Sequence, residues 1–174
     1  MTRRQLLAWT AGASLSGCGF HPVYMPTASG NAGVAQRELA AIRVDIIPDR
    51  PGQLLRQALQ ERLQTSERAT ASLYELSVSF GIAGEGIAIQ PDSTVTRIRT
   101  IGNADWTLIA QDPGRTHLTK GSARAVDGFN ILDTQYFASD LENEAVTRRL
   151  TNALADQITL QLATFFRRRA VTSG

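Results

Sequence analysis

Few side chains in this sequence have the types and spacing that catalysis or metal binding requires. The one cysteine is Cys18, and the two histidines, His21 and His117, are far apart in the chain. There is no HExxH spacing, no Cys/His cluster and no G-x-S-x-G nucleophile motif. The glycines between Gly81 and Gly86 lack the order of a nucleotide-binding loop and are more typical of a bulge or bend in a strand. We therefore predict no catalytic residue, no metal site, no cofactor and no enzymatic activity.

Cys18 has a sequence context that predicts covalent lipid attachment. The pair Arg3-Arg4 precedes a short apolar run, which falls below the roughly 20 residues that a membrane-spanning helix needs. Leu15-Ser16-Gly17 and the cysteine then have the form of a lipobox, where lipoprotein signal peptidase cuts and leaves a cysteine carrying diacylglycerol and an N-acyl chain. We expect residues 1–17 to be a signal peptide. The arginine pair leaves both general secretory and twin-arginine export open.

The residue after the cysteine predicts where the lipidated chain goes. It is Gly19 rather than Asp, the residue that retains many Gram-negative lipoproteins in the inner membrane. By that analogy we expect an outer-membrane protein, anchored by lipid on the periplasmic side. Because one cysteine cannot form an internal disulfide, acylation of Cys18 also removes a free thiol that would be a liability in an oxidising compartment.

A second group of candidates consists of cations with the spacing of one sheet face. Alternate residues of a strand point to the same face, so Arg97 and Arg99 project away from the helices if Trp106 packs against them. The next strand alternates small residues with polar ones that include two further cations. We expect all four cations to lie beside one another, where they could bind phosphate groups; an ordinary solvated strand face is the alternative. The four are Arg97, Arg99, Lys120 and Arg124.

Hydrophobic periodicity predicts the elements that position these residues. A short strand within 41–47 precedes an amphipathic helix of about 51–65. Period-two alternation then predicts three strands, in 74–82, 94–111 and 116–126, joined by turns at Pro91-Asp92-Ser93 and Asp112-Pro113-Gly114. A capping box, Ser139-Asp140-Leu141-Glu142, begins a helix of about 140–167. The order β-α-β-β-β-α predicts an α+β two-layer sandwich with two helices on one face of a mostly antiparallel sheet.

Composition divides the chain into four parts. After the signal peptide 1–17 we expect a lipid-anchored flexible tether over 18–36, a sandwich domain over 37–170 and a disordered tail over 171–174. Residues 19–35 of this tether could reach roughly 50 Å when extended. The run Arg167-Arg168-Arg169 fits a helix end, a solvated tail or a contact with anionic headgroups.

The charge balance excludes one class of partner. The chain has 174 residues, a formal net charge of +2 and a sequence pI of about 9.1, a value that would suggest nucleic-acid binding. The signal peptide holds two of the 18 basic side chains and none of the 16 acidic ones, so the mature side chains balance. We therefore expect no nucleic acid as a partner.

The start of the mature chain resembles a known family. The lipobox is followed at once by Gly19-Phe20-His21-Pro22, and this CGFHP start together with the element order resembles the lipopolysaccharide-assembly lipoproteins, LptE. The resemblance implies a two-layer sandwich on a mostly antiparallel four-stranded sheet. It also implies a one-to-one complex inside the LptD outer-membrane β-barrel, which the lipoprotein plugs and helps to assemble. A role in delivering lipopolysaccharide to the outer leaflet follows, and the four cations would then bind its phosphates.

Two other functions remain open at this point. An auxiliary lipoprotein of a periplasmic ABC-type lipid transport system could carry a similar small domain on a tether. A periplasmic hydrolase is disfavoured because no catalytic motif is present. Purification of the protein with its partners distinguishes lipopolysaccharide assembly from ABC-type transport, and an activity screen tests the hydrolase.

Overall fold

The computed structural model describes residues 33–63, 72–89, 95–130 and 136–172. Four strands form one sheet in the order β1-β2-β3-β4, with β1 parallel to β2 and the other neighbours antiparallel. Helices pack on one face of this sheet, so the predicted α+β two-layer sandwich is confirmed. The elements are α1 (Val34–Ala40), β1 (Ile42–Val44), α2 (Asp49–Leu63), β2 (Tyr74–Ile89), β3 (Val95–Ala110), β4 (His117–Asn130) and α3 (Tyr136–Thr172).

Helix α3 provides the largest part of the core. Its apolar residues recur every three or four positions and form a stripe that is at most 1% exposed, which is the periodicity expected of a helix with one buried face. Truncating Leu154 to Ala at the centre of this stripe would cost about 2–5 kcal/mol, because the neighbours cannot close the cavity completely. The stripe consists of Val146, Leu150, Leu154, Ile158 and Leu162.

Under α3, a large side chain on β3 lies opposite a residue without a side chain on β4. Trp106 of β3 is 4% exposed and lies directly opposite Gly121 of β4. A Cβ at Gly121 would come within 2.6 Å of the Trp106 ring, so this position has room for glycine alone. The indole Nε1 donates a hydrogen bond to Oε1 of Gln161 on α3 at 3.0 Å. The predicted inward direction of Trp106 is therefore confirmed.

The turn between β3 and β4 forms where the sequence predicts it. The backbone N–H of Thr116 donates to Oδ1 of Asp112 at 2.9 Å, and Arg115 takes a positive φ of 45°. This Asp side chain replaces a backbone partner, which is the usual role of Asp at a turn. The other predicted turn, at Pro91-Asp92-Ser93, lies outside the described residues.

Three local predictions need correction. Helix α1 occupies part of the predicted tether, because the i, i+4 pair Ala35 and Leu39 is buried against the sandwich and stabilises a short helix. Helix α3 begins at Tyr136, so Ser139 is inside the helix; an S-x-x-E spacing also fits a helix interior, where Ser and Asp cost only tenths of a kcal/mol. The same helix continues to Thr172, which includes two residues of the predicted tail.

Strand β2 also differs from the prediction, because its glycines do not end it. Pairing with β3 continues without a shift through Gly81 and Gly84, and the register changes only after Gly86. Backbone hydrogen bonds to β3 hold the strand where glycine offers no side chain for packing. The predicted irregularity is therefore confined to the last residues of β2.

Side chains of α3 cover part of the free edge of β4. The Gln157 amide accepts from Arg124 N–H at 3.3 Å and donates to Arg124 C=O at 3.1 Å. Gln161 donates to the Ser122 carbonyl at 3.0 Å. These amides form hydrogen bonds with backbone N–H and C=O groups of β4 that another strand could otherwise pair with.

Helix α1 is joined to the sheet through Tyr74. The Tyr74 hydroxyl donates to the Glu38 carboxylate at 2.6 Å, and its ring lies 5.1 Å from that of Phe166 on α3. Burial, reinforced by the Glu38 carboxylate, raises the pKa of Tyr74 to about 12. The phenol is therefore neutral at physiological pH and fixes α1 at the end of the sandwich where β2 begins.

Candidate functional site, the open face of the sheet

The face of the sheet opposite the helices, called here the open face, carries all four predicted cations. Residues that pair across an antiparallel ladder point to the same side. Trp106 points to the helices, so the odd-numbered residues of β3 point away from the helices. The residues of β2 and β4 that pair with those odd-numbered residues also point away from the helices. All four cationic side chains are exposed. They are Arg97 and Arg99 on β3 and Lys120 and Arg124 on β4.

The four cations lie two on each strand and do not form one cluster, so the predicted adjacency is wrong. Lys120 lies opposite Thr107, eight residues along β3 from Arg99, which corresponds to about 26 Å. Arg124 lies opposite Asn103, four residues or about 13 Å from Arg99, which is also its separation from Lys120 along β4. The sequence gives the parity of each strand, but it does not give the register between two strands, which sets these separations.

The two pairs also differ in their electrostatic surroundings. Arg99 forms an ion pair with Glu85, which lies directly opposite on β2. Within the described ranges, Arg97, Lys120 and Arg124 have no carboxylate partner. Their charge is therefore less neutralised than that of Arg99 and is available to an anionic ligand.

A shallow groove of about 550 Å³ surrounds Lys120 and is lined mainly by hydroxyl groups. Asp105 also lies on the open face there, opposite Ser122. The hydroxyls and the ammonium group can donate hydrogen bonds to phosphate oxygens, and the hydroxyls and the Asp105 carboxylate can accept them from sugar hydroxyls. The period-two pattern of β2 contained Ser77 and Ser79 on its polar side, but only the register shows that they lie near Lys120. The hydroxyl residues are Ser77, Ser79, Thr107 and Ser122.

A short apolar row separates Arg99 from Arg124 on the same face. Ile101 pairs with Ala83 on one side and with Val126 on the other. Val126 is 54% exposed and Ile101 is half-buried. The open face therefore alternates charged and apolar strips, an arrangement that fits an amphipathic ligand.

One carboxylate on this face is buried and has a structural role. Glu75 is 7% exposed and accepts from Arg43 at 2.5 Å and from Arg115 at 2.6 Å. These guanidinium groups, Arg115 first, hold the pKa of Glu75 below its usual value against the opposing effect of burial. The cluster joins β1, β2 and the β3–β4 turn, and it leaves the carboxylate ionised at neutral pH.

The remaining sequence candidates fall outside this face or outside the described residues. Cys18 and His21 precede the described ranges, and His117 is an exposed residue at the start of β4. Across the described ranges, no three His, Cys, Asp or Glu side chains come together to hold a metal ion. None of the described helices has the length and apolar composition that crossing a bilayer would require.

Comparison with known proteins identifies a family and a set of similar structures. Residues 39–162 match the sequence profile of LptE, described as Lipopolysaccharide-assembly. These residues extend from the end of α1 to the last buried leucine of α3 and so include the whole sheet. Among curated proteins, none is similar to this chain in sequence.

Three solved structures share the fold. A lipoprotein structure from Caulobacter crescentus CB15 has a TM-score of 0.62 at 20% identity and covers 76% of this chain and 96% of its own. Rare lipoprotein B from Shewanella oneidensis has a TM-score of 0.53 at 14% identity and covers 71% and 92%. Lipoprotein B from Nitrosomonas europaea has a TM-score of 0.53 at 16% identity and covers 71% and 81%. At these identities the likeness concerns the fold alone.

Proposed function

This chain belongs to the LptE family of lipopolysaccharide-assembly proteins, and we propose that it acts as an outer-membrane lipoprotein bound to the LptD β-barrel. The observation that carries the proposal is the family match over the entire sheet. In this role the sandwich occupies the barrel lumen, assists barrel assembly and takes part in delivering lipopolysaccharide to the outer leaflet. It contributes binding and shape, with no catalytic step.

The lipid anchor in this proposal is Cys18, which would carry diacylglycerol and an N-acyl chain. Residues 18–32 connect it to Gly33, where the described chain begins. About 15 residues can reach roughly 50 Å. The lipid can therefore sit in the periplasmic leaflet while the domain enters a barrel from the periplasmic side.

The open face is the part of the domain to which we assign lipopolysaccharide. Lys120 and Arg124 would supply charge-assisted hydrogen bonds to phosphate oxygens. The hydroxyls of the adjoining groove would bind sugar hydroxyls, and the row through Ile101 and Val126 would contact the start of an acyl chain. Arg97 and Arg99 would meet a second anionic group at the other end of the face, with Arg99 weakened by Glu85.

Purification of the tagged full-length protein from detergent-extracted membranes tests the proposed partner. We expect the LptD barrel in a one-to-one complex. Recovery of inner-membrane transport subunits without the barrel would support the ABC-transport alternative instead. A Cys18→Ala chain exported behind a signal peptide of the non-lipoprotein type provides the control. It keeps the domain and loses the anchor, so it separates binding by the domain from co-extraction through the lipid.

A further inference from the structure

We propose that the end of the sandwich nearest the tether docks on anionic phospholipid headgroups. This end, called here the tether end, is where α1 lies, β2 begins, β3 ends and α3 ends. The Tyr74 ring at the start of β2 contacts Phe166 near the end of α3, and its hydroxyl binds Glu38 of α1. Lys120 and Arg168 line one depression there, which joins the start of β4 to the last turns of α3.

Among the described residues, the tether end has the larger excess of positive charge. It has seven exposed cations against four acids, Glu38, Asp45, Glu75 and Asp112. At the opposite end, where β2 and β4 end and α2 and α3 begin, five cations are balanced by five acids, Asp49, Glu85, Asp127, Glu142 and Glu144. The seven cations of the tether end are Arg37, Arg43, Arg115, Lys120, Arg167, Arg168 and Arg169.

This asymmetry gives the molecule a direction relative to a membrane. The number of cations at the tether end lies in the range of about 4–8 that is typical of segments binding anionic leaflets. The chain that leads back to Cys18 leaves the domain from α1, at this same end. The inference rests on the proposed lipid anchor, because a single lipid anchor becomes firm when a basic surface supplies a second contact.

The anchor and the cations would then act together on one leaflet. A tether of about 15 residues confines the domain to within roughly 50 Å of the bilayer, which raises the effective concentration of headgroups at the tether end. Phospholipid is assigned to the tether end and lipopolysaccharide to the open face. Because Lys120 belongs to both surfaces, the docking test leaves Lys120 unchanged.

Vesicle sedimentation of the mature chain, residues 18–174, carrying Cys18→Ala tests the docking surface. The vesicles contain phosphatidylcholine with or without phosphatidylglycerol, and the test variant carries Arg167→Gln, Arg168→Gln and Arg169→Gln. Glutamine preserves helix propensity. Each cation near an anionic surface contributes about fivefold to binding, so we expect the triple variant to bind phosphatidylglycerol vesicles roughly a hundredfold more weakly.

The matched control removes the same charge from the opposite end. It carries Arg50→Gln, Arg148→Gln and Arg149→Gln, three exposed positions. Its binding should stay within about twofold of the parent, because charges well beyond a Debye length from the surface are screened. Equal losses in both triple variants would show attraction by net charge alone and would overturn the proposal, as would parent binding that does not depend on phosphatidylglycerol.

A second variant covers the case in which the α3 substitutions disturb folding. Arg37→Gln with Arg115→Gln leaves α3 unchanged and should weaken binding about twentyfold by the same reasoning. Circular dichroism verifies the fold of each variant. The vesicle assay contains neither an acylated anchor nor a barrel, so a negative vesicle result would not contradict the proposed function. Likewise, failure to co-purify the barrel would not contradict binding to the vesicles.

Discussion

Reversal of the two cationic pairs of the open face, one pair at a time, tests whether lipopolysaccharide binds this surface as proposed. One variant carries Lys120→Glu and Arg124→Glu, and the other carries Arg97→Glu and Arg99→Glu. The structure separates the pairs by register and neutralises one of them in part through Glu85. The two variants should therefore lose different amounts of affinity.

The structure also limits the effect of these variants on the fold. All four side chains are exposed, so reversing Lys120 and Arg124 should change the free energy of unfolding by less than about 0.5 kcal/mol. Reversing Arg99 removes a surface ion pair worth up to about 1 kcal/mol and places two glutamates opposite each other, which adds a similar cost. The Arg97/Arg99 variant should lose about 1–2 kcal/mol and remain folded.

The expected loss of binding is larger. A hydrogen bond to a charged group contributes about 1.5–3 kcal/mol, so losing two of them at Lys120 and Arg124 should weaken binding about a hundredfold or more. The Arg97/Arg99 pair should lose about tenfold, because Glu85 already offsets one charge.

Titration of fluorescent lipopolysaccharide with the mature chain, residues 18–174, carrying Cys18→Ala measures both values. Asp105→Asn is the matched control: it removes a negative charge from the same groove and should strengthen binding a few-fold. The reasoning is refuted if both reversals leave the affinity within twofold of the parent while thermal unfolding is unchanged. It also fails if Asp105→Asn weakens binding as much as a reversal does.

Other substitutions test the fold that carries this face. Gly121→Ala should cost about 1–3 kcal/mol in chemical denaturation because its Cβ meets the Trp106 ring, whereas Gly81→Ala, with nothing within 4 Å, should be neutral or slightly stabilising; equal effects would contradict the packing. Glu75→Gln should lower the free energy of unfolding by about 1 kcal/mol at pH 7. Because the pKa of Glu75 in the folded protein lies below the usual 4.5, the difference between variant and parent should disappear as the pH falls through that lowered pKa. A difference that stays constant down to pH 2 would argue against the arginine cluster. Replacing Gln157 and Gln161 together by Ala should uncover the β4 edge and promote self-association on size-exclusion chromatography, and a double variant as monomeric as the parent would mean that the edge needs no cover.

Periodicity predicted the sandwich because each element buries a single face. The alternation around Trp106 and the three-and-four spacing from Val146 to Leu162 follow from burial alone, and both are confirmed. The turn at Asp112 was predictable for a local reason, since its side chain hydrogen-bonds within four residues.

The features that sequence could not give depend on long-range pairing. The register of β3 with β4 separates Lys120 from Arg99, and nothing within either strand specifies it. The same pairing carries β2 through its glycines. Helix α1 was missed because only Ala35 and Leu39 mark it, and such a short helix is stable only through packing against the rest of the domain.

The open face was therefore predicted in composition and not in arrangement. The alternation of side chains along each strand predicted that Arg97 and Lys120 point away from the helices. The hydroxyl groove and the apolar row through Ile101 depend on three strands lying side by side in one register. The predicted lipidation of Cys18 stays a prediction, because the residue precedes the described ranges.

The most direct test of the proposed role in lipopolysaccharide delivery is the amount of lipopolysaccharide on the cell surface after depletion of this protein. The proposal predicts that surface lipopolysaccharide falls together with the level of assembled LptD barrel, and that the parent chain restores both. A chain with Lys120→Glu and Arg124→Glu should restore the barrel and only part of the surface lipopolysaccharide. Normal surface lipopolysaccharide and a normal barrel level in depleted cells would contradict the proposal.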